Sequence, residues 1–362
     1  MSLSELQVQT ALKEVVDPNT GKDLVSSRCT KNTKVSGTDV SVDIELGYPA
    51  RSQIEIIRKL VIDKLKAIPG VGNVSANVTQ KIVSHTVQKG VKLVSGVKNI
   101  IAVASGKGGV GKSTTAVNLA LALAAEGATV GILDADIYGP SQPQMLGISG
   151  QPESLDGKKM EPMTAYGVQA KSVGFLIDPE TPMVWRGPMV TQALTQLLGE
   201  TNWQDVDYLV VDLPPGTGDI QLTLAQQVPV TGAIIVTTPQ DIALLDARKG
   251  LKMFEKVGIP ILGIVENMSI HICSKCGHEE HIFGSGGAEK MGTDYEVEVL
   301  GHLPLDINIR MQVDSGRPTV VAEPDSRIAE IYRGIARKVA IKIAERAKDM
   351  TSKFPNIVIQ NT

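Results

Sequence analysis

A glycine-rich loop between an apolar stretch and an Ala/Leu-rich stretch constrains the fold of this chain more than any other feature. The loop consists of Gly106, Lys107, Gly108, Gly109, Val110, Gly111, Lys112, Ser113 and Thr114. It fits the pattern G-x-x-x-x-G-K-[ST], and residues 100–104 and 116–125 have the strand and helix character that this motif requires. Glycines let successive N–H groups turn inward around phosphate oxygens, and the following helix adds its positive N-terminal end. The loop therefore predicts a nucleoside triphosphate site, with a merely flexible glycine loop as the alternative.

Three side chains have expected roles at this site. Lys112 should contact the β- and γ-phosphates, and Ser113 should ligate Mg²⁺. Asp212 ends the apolar stretch 208–211, where a carboxylate can hold Mg²⁺ through a water. Residues 212–219 are then expected to form the switch loop that senses the γ-phosphate.

Apolar stretches recur along most of the chain in a pattern typical of an α/β fold. A helical or loop stretch follows each of them, and they cover residues 100–104, 130–133, 208–211, 233–236 and 261–265. Such strands indicate a mostly parallel sheet with helices on both faces. We predict a P-loop NTPase domain over residues 99–350 and a tail over residues 351–362.

The beginning of the chain follows a different pattern. Residues 4–15 and 54–65 have helical spacing of apolar positions, whereas apolar and polar residues alternate over residues 40–46 and 74–78. This pattern predicts a small α+β domain over residues 1–79. Residues 80–98 lack a sustained period and are predicted to be a linker.

The bulk composition bears on partners and location. A formal net charge of -3 and a pI near 6.0 provide no global field that would hold the protein on nucleic acid or on anionic lipid. The N-terminus lacks a basic segment followed by an apolar run, and no stretch approaches 18 uncharged apolar residues. We therefore expect a cytoplasmic protein without nucleic-acid or membrane partners.

Two of the three cysteines, Cys273 and Cys276, are separated by two residues. This spacing lets both thiolates point to one side of a turn, which gives half of a four-thiolate site. Because one chain with three cysteines cannot supply four ligands, a twofold homodimer would bring both pairs to its axis and compose a 4Fe–4S site. Thiolates suit iron–sulfur clusters but also zinc.

Zinc is the main alternative for the cysteine pair, because His278 and His281 follow at once. A single residue separates Cys276 from His278, far fewer than in Cys₂His₂ zinc fingers, so closure by all four side chains would be strained. A redox dithiol is a further alternative.

Several motifs occur together. They are residues 106–114, residues 134–141 (Asp-Ala-Asp-Ile-Tyr-Gly-Pro-Ser), residues 185–188 (Trp-Arg-Gly-Pro), residues 212–219 (Asp-Leu-Pro-Pro-Gly-Thr-Gly-Asp), residues 266–268 (Glu-Asn-Met) and the cysteine pair. Together they resemble the Mrp/ApbC family of iron–sulfur cluster carriers, relatives of the MinD and nitrogenase iron-protein ATPases, over residues 96–345. The resemblance implies an ATPase that receives a labile cluster from an assembly scaffold and passes it to apo-protein clients.

The resemblance also implies roles for single residues. Lys107 matches the signature lysine of the deviant Walker A class, which crosses a dimer interface to the partner's nucleotide. Asp136, the second aspartate after the stretch 130–133, matches the residue that positions the attacking water, although helix capping is an alternative for both Asp134 and Asp136. Asn267 matches a position that contacts adenine, and Arg186 belongs to a family motif without an assigned role.

The first 79 residues resemble the small iron–sulfur assembly domain often fused ahead of such ATPases, with matches at residues 17–21 and residues 48–50. Many relatives carry cysteine directly after this Pro-Ala, but this chain has Arg51. Cys29 lies elsewhere, so we expect a recognition module rather than a cluster-binding domain.

Other functions remain open from the sequence. A partitioning or positioning ATPase of the MinD/ParA type with a structural zinc site would share the loop, and the basic segment 326–350 could then lie on a bilayer. In the competing interpretation this segment packs as the last helix, through an apolar stripe of Ile328, Ile331, Ile335, Val339 and Ile343. An electron-transferring reductase and a non-enzymatic scaffold are further alternatives.

Overall fold

The computed structural model describes residues 3–85, 91–155, 157–177, 187–273 and 275–353. The chain divides into two compact units, Met1–Val83 and Ser84–Thr362. The division falls inside the segment predicted to be a linker. Both ends of that segment belong to strands, because one strand ends at Gln80 and the next begins at Val97.

The first unit is a small α+β domain. Its elements are helices α1 (Glu5–Leu12) and α2 (Ile54–Lys66) and strands β1 (Thr30–Ser36), β2 (Asp39–Leu46) and β3 (Val74–Gln80). β2 lies between β1, with which it pairs antiparallel, and β3, with which it pairs parallel. The alternation predicted for β2 is confirmed, since Val40, Val42, Ile44 and Leu46 are all buried. Strand β1 was not predicted, because its polar sequence carries no apolar alternation.

The second unit is built on a large sheet. Its strands are β4 (Val97–Ala104), β5 (Val130–Asp134), β6 (Met163–Ala165), β7 (Val168–Ser172), β8 (Val206–Asp212), β9 (Gly232–Thr237), β10 (Ile261–Glu266), β11 (His271–Ile272), β12 (Glu279–Glu280) and β13 (Val299–His302). Eight of these form one sheet in the order β13-β10-β9-β4-β8-β5-β7-β6. All neighbours in it are parallel except β6 and β7, and β11 and β12 form a separate antiparallel hairpin.

Helices cover both faces of this sheet, which confirms the predicted α/β fold. They are α3 (Lys112–Ala125), α4 (Gln142–Met145), α5 (Gly187–Gly199), α6 (Asp219–Gln227), α7 (Asp241–Lys256), α8 (Gly287–Tyr295), α9 (Ile307–Asp314), α10 (Thr319–Ala322) and α11 (Arg327–Lys353). Helices α5 to α8 share one apolar core with the central strands, and α11 packs on α3 and β13. Every residue of β8 and β9 is buried, because helices pack on both faces of these central strands.

Helix α11 corresponds to the basic segment for which two interpretations were open. Ile335, Val339 and Ile343 are buried, so the prediction that the segment packs as the last helix is confirmed. Arg337 is turned inward, and its two terminal nitrogens donate to Glu126 Oε1 and Glu330 Oε1, both at 2.6 Å. Within the ranges described above, no helix combines the length and apolar character needed to span a bilayer.

Arg337 compensates the unfavourable negative charge of the buried Glu126 carboxylate. Glu126 is fully buried and caps the C-terminus of α3, where the helix dipole already concentrates negative charge. A buried carboxylate without a partner is strongly destabilising. The cation from α11 therefore locks the last helix onto the first helix of this unit.

We predict that Arg337→Met lowers the free energy of unfolding by about 3–5 kcal/mol, because Glu126 is left as an uncompensated buried charge. Adding Glu126→Gln should recover a large part of the loss. Urea unfolding measures both effects. Lys338→Met serves as the control, since the exposed Lys338 should contribute at most about 1 kcal/mol. Equal losses for Arg337→Met and Lys338→Met would contradict the compensation.

Lys171 in β7 is a buried cation that forms no ion pair within the described part of the chain. Its Nζ lies 3.1 Å from Met160 Sδ, and the side chain is fully buried. Burial lowers the pKa of Lys171 to about 8, although the nearby Glu200 opposes this change. Below pH 8 both the folded and the unfolded state bind the proton, so the cost of burying the charge is fully present. Between pH 8 and about 10.4 the folded state releases the proton first, and this cost disappears.

We predict that Lys171→Met stabilises the protein at pH 7 and does so less at pH 10. The gain over wild type should shrink by up to about 3 kcal/mol between the two pH values, which follows from the lowered pKa. Guanidinium unfolding of both proteins at each pH measures the change. A gain that is the same at both pH values would show that the lysine titrates normally.

Candidate nucleotide site and cysteine hairpin

The glycine-rich loop lies at the carboxyl edge of the parallel sheet. It follows β4, and α3 begins at Lys112, so the last three residues of the motif are helical. Gly109 and Gly111 have positive φ angles of 81° and 84°. A Cβ atom at Gly111 would lie 2.1 Å from Asn267 Nδ2, and one at Gly106 would lie 2.1 Å from the backbone carbon of Asp246. The loop therefore requires glycine both for its backbone angles and for close packing.

The loop is open where a ligand would approach it. A Cβ atom added at Gly108 or Gly109 would meet nothing within 4 Å. The following helix α3 directs its N-terminus toward this space, since it begins directly after Gly111. An open ring of backbone N–H groups at a helix N-terminus fits an anionic phosphate chain.

The structure brings together the three side chains predicted for this site. Lys112 is 5% exposed, and its Nζ contacts Asp212 Oδ1 and lies 3.2 Å from Ser113 Oγ. Asp212, the last residue of β8, is fully buried. The ammonium group thus compensates a carboxylate that is buried away from water.

Gln142 belongs to the same site, although the sequence analysis did not identify it. Its Nε2 donates to Asp212 Oδ2 at 2.9 Å and to the Ser113 carbonyl at 3.1 Å. The available signal was its position directly after residues 134–141, but glutamine at a loop end has many uses. Its role depends on a partner 70 residues away in sequence.

The two aspartates after β5 differ in their surroundings. Asp134 is fully buried and accepts hydrogen bonds from the backbone N–H groups of Ser141 and Gln142, at 2.9 and 3.1 Å, at the start of α4. Burial and the neighbouring Asp212 raise the pKa of Asp134. Its contacts are those of a capping residue, the alternative considered for this pair.

Asp136 is half-buried and lies within the field of the same charges. Burial raises its pKa, Lys112 opposes that change, and Asp212 adds to it. Backbone N–H groups of Gly139 and Tyr138 also bond to its carboxylate and lower the pKa. A carboxylate with a raised pKa is a stronger base than an exposed aspartate.

Lys107 and Asn267 differ in exposure and in their contacts to the loop. Lys107 is exposed, and its carbonyl accepts a hydrogen bond from Ser105 Oγ at 2.9 Å. Asn267 follows β10, is 8% exposed, and donates from Nδ2 to the Val110 carbonyl at 2.9 Å. Its amide thus supports the loop through a backbone carbonyl. Arg186 and Trp185 lie outside the described residues.

The predicted switch loop is tied to the strand that precedes the glycine-rich loop. Leu213 N–H donates to the Val103 carbonyl at 3.1 Å, and Gly216 N–H donates to the Ser105 carbonyl at 2.9 Å. Gln221 Nε2 donates to the Pro215 carbonyl at 2.6 Å. Displacement of the switch loop would therefore be transmitted to the base of the glycine-rich loop.

The cysteine pair lies in the turn of the β11–β12 hairpin. Cys273 N–H donates to the His278 carbonyl at 2.9 Å, and Gly277 N–H donates to the Cys273 carbonyl at 2.8 Å. The positive φ of Gly277, 71°, allows this tight return. Backbone N–H groups of Lys275 and Cys276, followed by the Cys276 thiol, lower the pKa of Cys273. The turn therefore places both sulfur atoms together and favours the thiolate at Cys273.

The histidines do not complete a metal site with this pair. Among the described residues, no group of three or more histidine, cysteine or acidic side chains is placed to hold a metal ion. His281 instead uses Nδ1 to bond to the Ser269 carbonyl at 2.8 Å. The four-residue zinc site considered from the sequence is thus not formed in the described part of the chain. Cys29 is buried in the first unit.

Comparison with known proteins relates the two units to iron–sulfur protein families. Residues 96–340 match the family described as NUBPL iron-transfer P-loop NTPase, and residues 5–78 match the family described as iron-sulfur cluster assembly protein. The iron-sulfur cluster carrier protein of Haemophilus influenzae is 52% identical over 338 residues, covering 93% of this chain and 91% of the relative. The iron-sulfur cluster transfer protein NUBPL of Mus musculus is 52% identical over 254 residues, covering 70% and 80%.

Solved structures agree with this relationship. A nucleotide-binding protein from Archaeoglobus fulgidus, in complex with ADP, is 37% identical with a TM-score of 0.57, covering 64% of this chain and 90% of that chain. The cell division ATPase MinD of Pyrococcus furiosus, 24% identical with a TM-score of 0.52 over 67% and 98% of the two chains, supports the fold alone. The chain therefore belongs to the NUBPL iron-transfer family of P-loop NTPases, which includes the iron–sulfur cluster carrier proteins.

Proposed function

We propose that this protein binds and hydrolyses ATP and carries a labile 4Fe–4S cluster, which two copies hold between them and transfer to apo-proteins. The observation that carries the proposal is the hairpin turn at Cys273 and Cys276, which places two thiols together in the unit that also holds the glycine-rich loop. The curated relatives named as cluster carriers support it.

The nucleotide half of the proposal rests on the open loop and the buried pair beside it. Lys112 lies within reach of both Asp212 and Ser113, so an incoming phosphate chain can compete with Asp212 for the ammonium group. Ser113 and Asp212 are oxygen donors of the kind Mg²⁺ prefers, and they would hold it. When bound, Mg²⁺ would neutralise charge that develops on the phosphate oxygens.

Hydrolysis requires a water aligned with the γ-phosphorus. The water oxygen forms a bond to that phosphorus while the bond to the β–γ bridging oxygen breaks, giving ADP and inorganic phosphate. Asp136 would orient this water and receive its proton, helped by the raised pKa that burial produces. The exposed Lys107 would reach the nucleotide of a second copy, and Asn267 would hold the loop and contact adenine.

The cluster half rests on ligand arithmetic. A 4Fe–4S cluster takes four thiolates, and the chain has three cysteines in all. Cys29 is buried in a different unit from the pair. Two copies related by a twofold axis would supply Cys273 and Cys276 twice, and isologous contacts of this kind are the commonest route to a homodimer. The cluster would be cargo, exchanged with scaffold and client proteins.

Helix α7 offers a physical connection between the two halves. The backbone of Asp246 in α7 packs so closely on Gly106 that a Cβ atom there would not fit. Gly250 of the same helix packs on the switch loop, since a Cβ atom added to it would lie 3.7 Å from Thr217 Cγ2. Its Leu244 leaves no space for a Cβ at Gly287, the first residue of α8 after the cysteine hairpin. A shift of α7 with nucleotide state would thus be felt at both sites, which supports gating of cluster retention by ATP.

We predict that anaerobic reconstitution with iron and sulfide yields about one 4Fe–4S cluster per dimer, since two chains supply four thiolates. Cys273→Ala/Cys276→Ala should lose the cluster. Cys29→Ala is the matched control and should retain it, because that thiol is buried in the other unit. Optical and Mössbauer spectra with an iron count make the measurement. One tightly bound zinc per monomer and no cluster uptake would refute the carrier function.

We predict that Lys112→Ala lowers ATP hydrolysis at least about 100-fold and abolishes cluster transfer in vivo while leaving cluster binding intact, because the lysine contacts phosphates and not the cysteine hairpin. Lys256→Ala, an exposed lysine at the far end of α7, should leave all three properties unchanged. Normal cluster transfer by Lys112→Ala would show that nucleotide does not gate the carrier.

A further inference from the structure

The side chain of Gln142 contacts the candidate magnesium site, although α4 itself does not require these contacts. Gln142 is the first residue of α4 and is 1% exposed. Its Nε2 bonds both to the carboxylate of Asp212 and to the carbonyl of Ser113, the two residues that would hold the metal. The contacts join a short helix after β5 to the end of β8 and the start of α3.

These two acceptors determine the orientation of the carboxamide. Both partners of Nε2 are acceptors, so the reverse orientation would place Oε1 against a carboxylate oxygen and a carbonyl oxygen. In the orientation observed, Oε1 is buried and lacks a hydrogen-bond partner within the described ranges. The neighbouring Ser141 Oγ is likewise buried without a partner there. Because buried polar groups are normally paired, two such atoms on consecutive residues indicate a ligand or water that completes the site.

We propose that Gln142 is a positioning residue of the magnesium and nucleotide site, with two functions. Its Nε2 binds Asp212 Oδ2. Only Asp212 Oδ1 then remains to contact Lys112 or to face a magnesium ion. Its Oε1 would accept a hydrogen bond from a ligand or water that completes the site when Mg²⁺ is held there. The proposal rests on the nucleotide function proposed above.

The physical reason for a glutamine lies in the charges around it. When Lys112 turns toward phosphate, Asp212 loses its cation, and the Gln142 amide remains as a donor that keeps the buried carboxylate paired. A glutamate here would place a third carboxylate beside Asp212 and Asp134, which would repel both. The neutral amide supplies a donor and an acceptor without adding charge.

Nucleotide affinity with and without magnesium tests the proposal. ADP is titrated against wild type, Gln142→Met and Gln144→Met, in Mg²⁺ and in EDTA. Methionine nearly matches glutamine in size, and Gln144 is an exposed residue of the same helix. We expect Gln142→Met to reduce the gain in affinity from Mg²⁺ about tenfold while changing the affinity in EDTA less than about twofold, and we expect Gln144→Met to change neither.

Each other result of this titration is decisive. The proposal is overturned if Gln142→Met gains as much ADP affinity from Mg²⁺ as wild type does. It is also overturned if the variant loses the same affinity in Mg²⁺ and in EDTA, because Gln142 would then only support the glycine-rich loop. If wild type binds no ADP in either solution, the nucleotide function fails first and this proposal with it, whereas ADP binding without a gain from Mg²⁺ overturns this proposal alone. The wild-type titration thus separates the two failures.

A second readout uses the ligand-free protein. Gln142→Met leaves Asp212 Oδ2 without its donor and should lower Tm by about 4 °C. In an Asp212→Asn background, the same substitution should lower Tm by less than half as much, because the charge that needed the donor is gone. Strictly additive shifts would show that Gln142 does not hold the Asp212 carboxylate, and would overturn the proposal.

Discussion

The buried carboxylate of Asp212 is the constraint around which the larger unit is arranged. It lies at the end of a central strand, fully removed from water, and two partners satisfy it: Lys112 at Oδ1 and Gln142 at Oδ2. An ionised group in such a place is tolerated only with both charge compensation and hydrogen bonds. Lys112 comes from the start of α3 and Gln142 from the start of α4. The carboxylate at the end of β8 therefore joins three elements of the site.

The same principle holds α11 at the other end of the chain. Glu126 at the end of α3 is as thoroughly buried as Asp212 and is compensated by Arg337 of the last helix. Helix α3 is thus bound by an ion pair at each end, one in the site and one remote from it. Because α3 begins inside the glycine-rich loop, its anchorage also determines how rigidly the loop is held. Both ion pairs join parts of the unit that lie far apart in sequence.

The cysteine hairpin is organised by backbone hydrogen bonds rather than by a core. Its turn is closed by bonds between Cys273, Gly277 and His278, and N–H groups directed at the Cys273 sulfur favour the thiolate before any metal arrives. In the proposed function, this turn would present two ligands, and a second copy would supply the rest of the coordination. An incomplete ligand set of this kind would suit the proposed transfer of a cluster, since a closed four-ligand site on one chain would retain it.

The sequence by itself determined the elements whose signal is local. The glycine-rich loop, the apolar strands, the alternation in β2 and the stripe of α11 each depend on residues close together in the chain, so periodicity and motif spacing predict them. The spacing of the cysteines likewise predicted two thiols on one turn. Strands β6, β7 and β13 escaped prediction because they are short and carry polar residues such as Lys171 within an apolar face.

Only the tertiary structure decided how the site is completed. Gln142 meets Asp212 across 70 residues, and Asn267 meets Val110 across 157. The sequence pattern does not distinguish Asp134 from Asp136. In the structure Asp134 is buried and accepts a hydrogen bond from the start of α4, whereas Asp136 is half-buried and close enough to Lys112 for that charge to lower its pKa. The physical reason is that a parallel sheet gathers the carboxyl ends of strands distant in sequence at one edge, where the order of strands, and not the order of residues, sets which side chains meet.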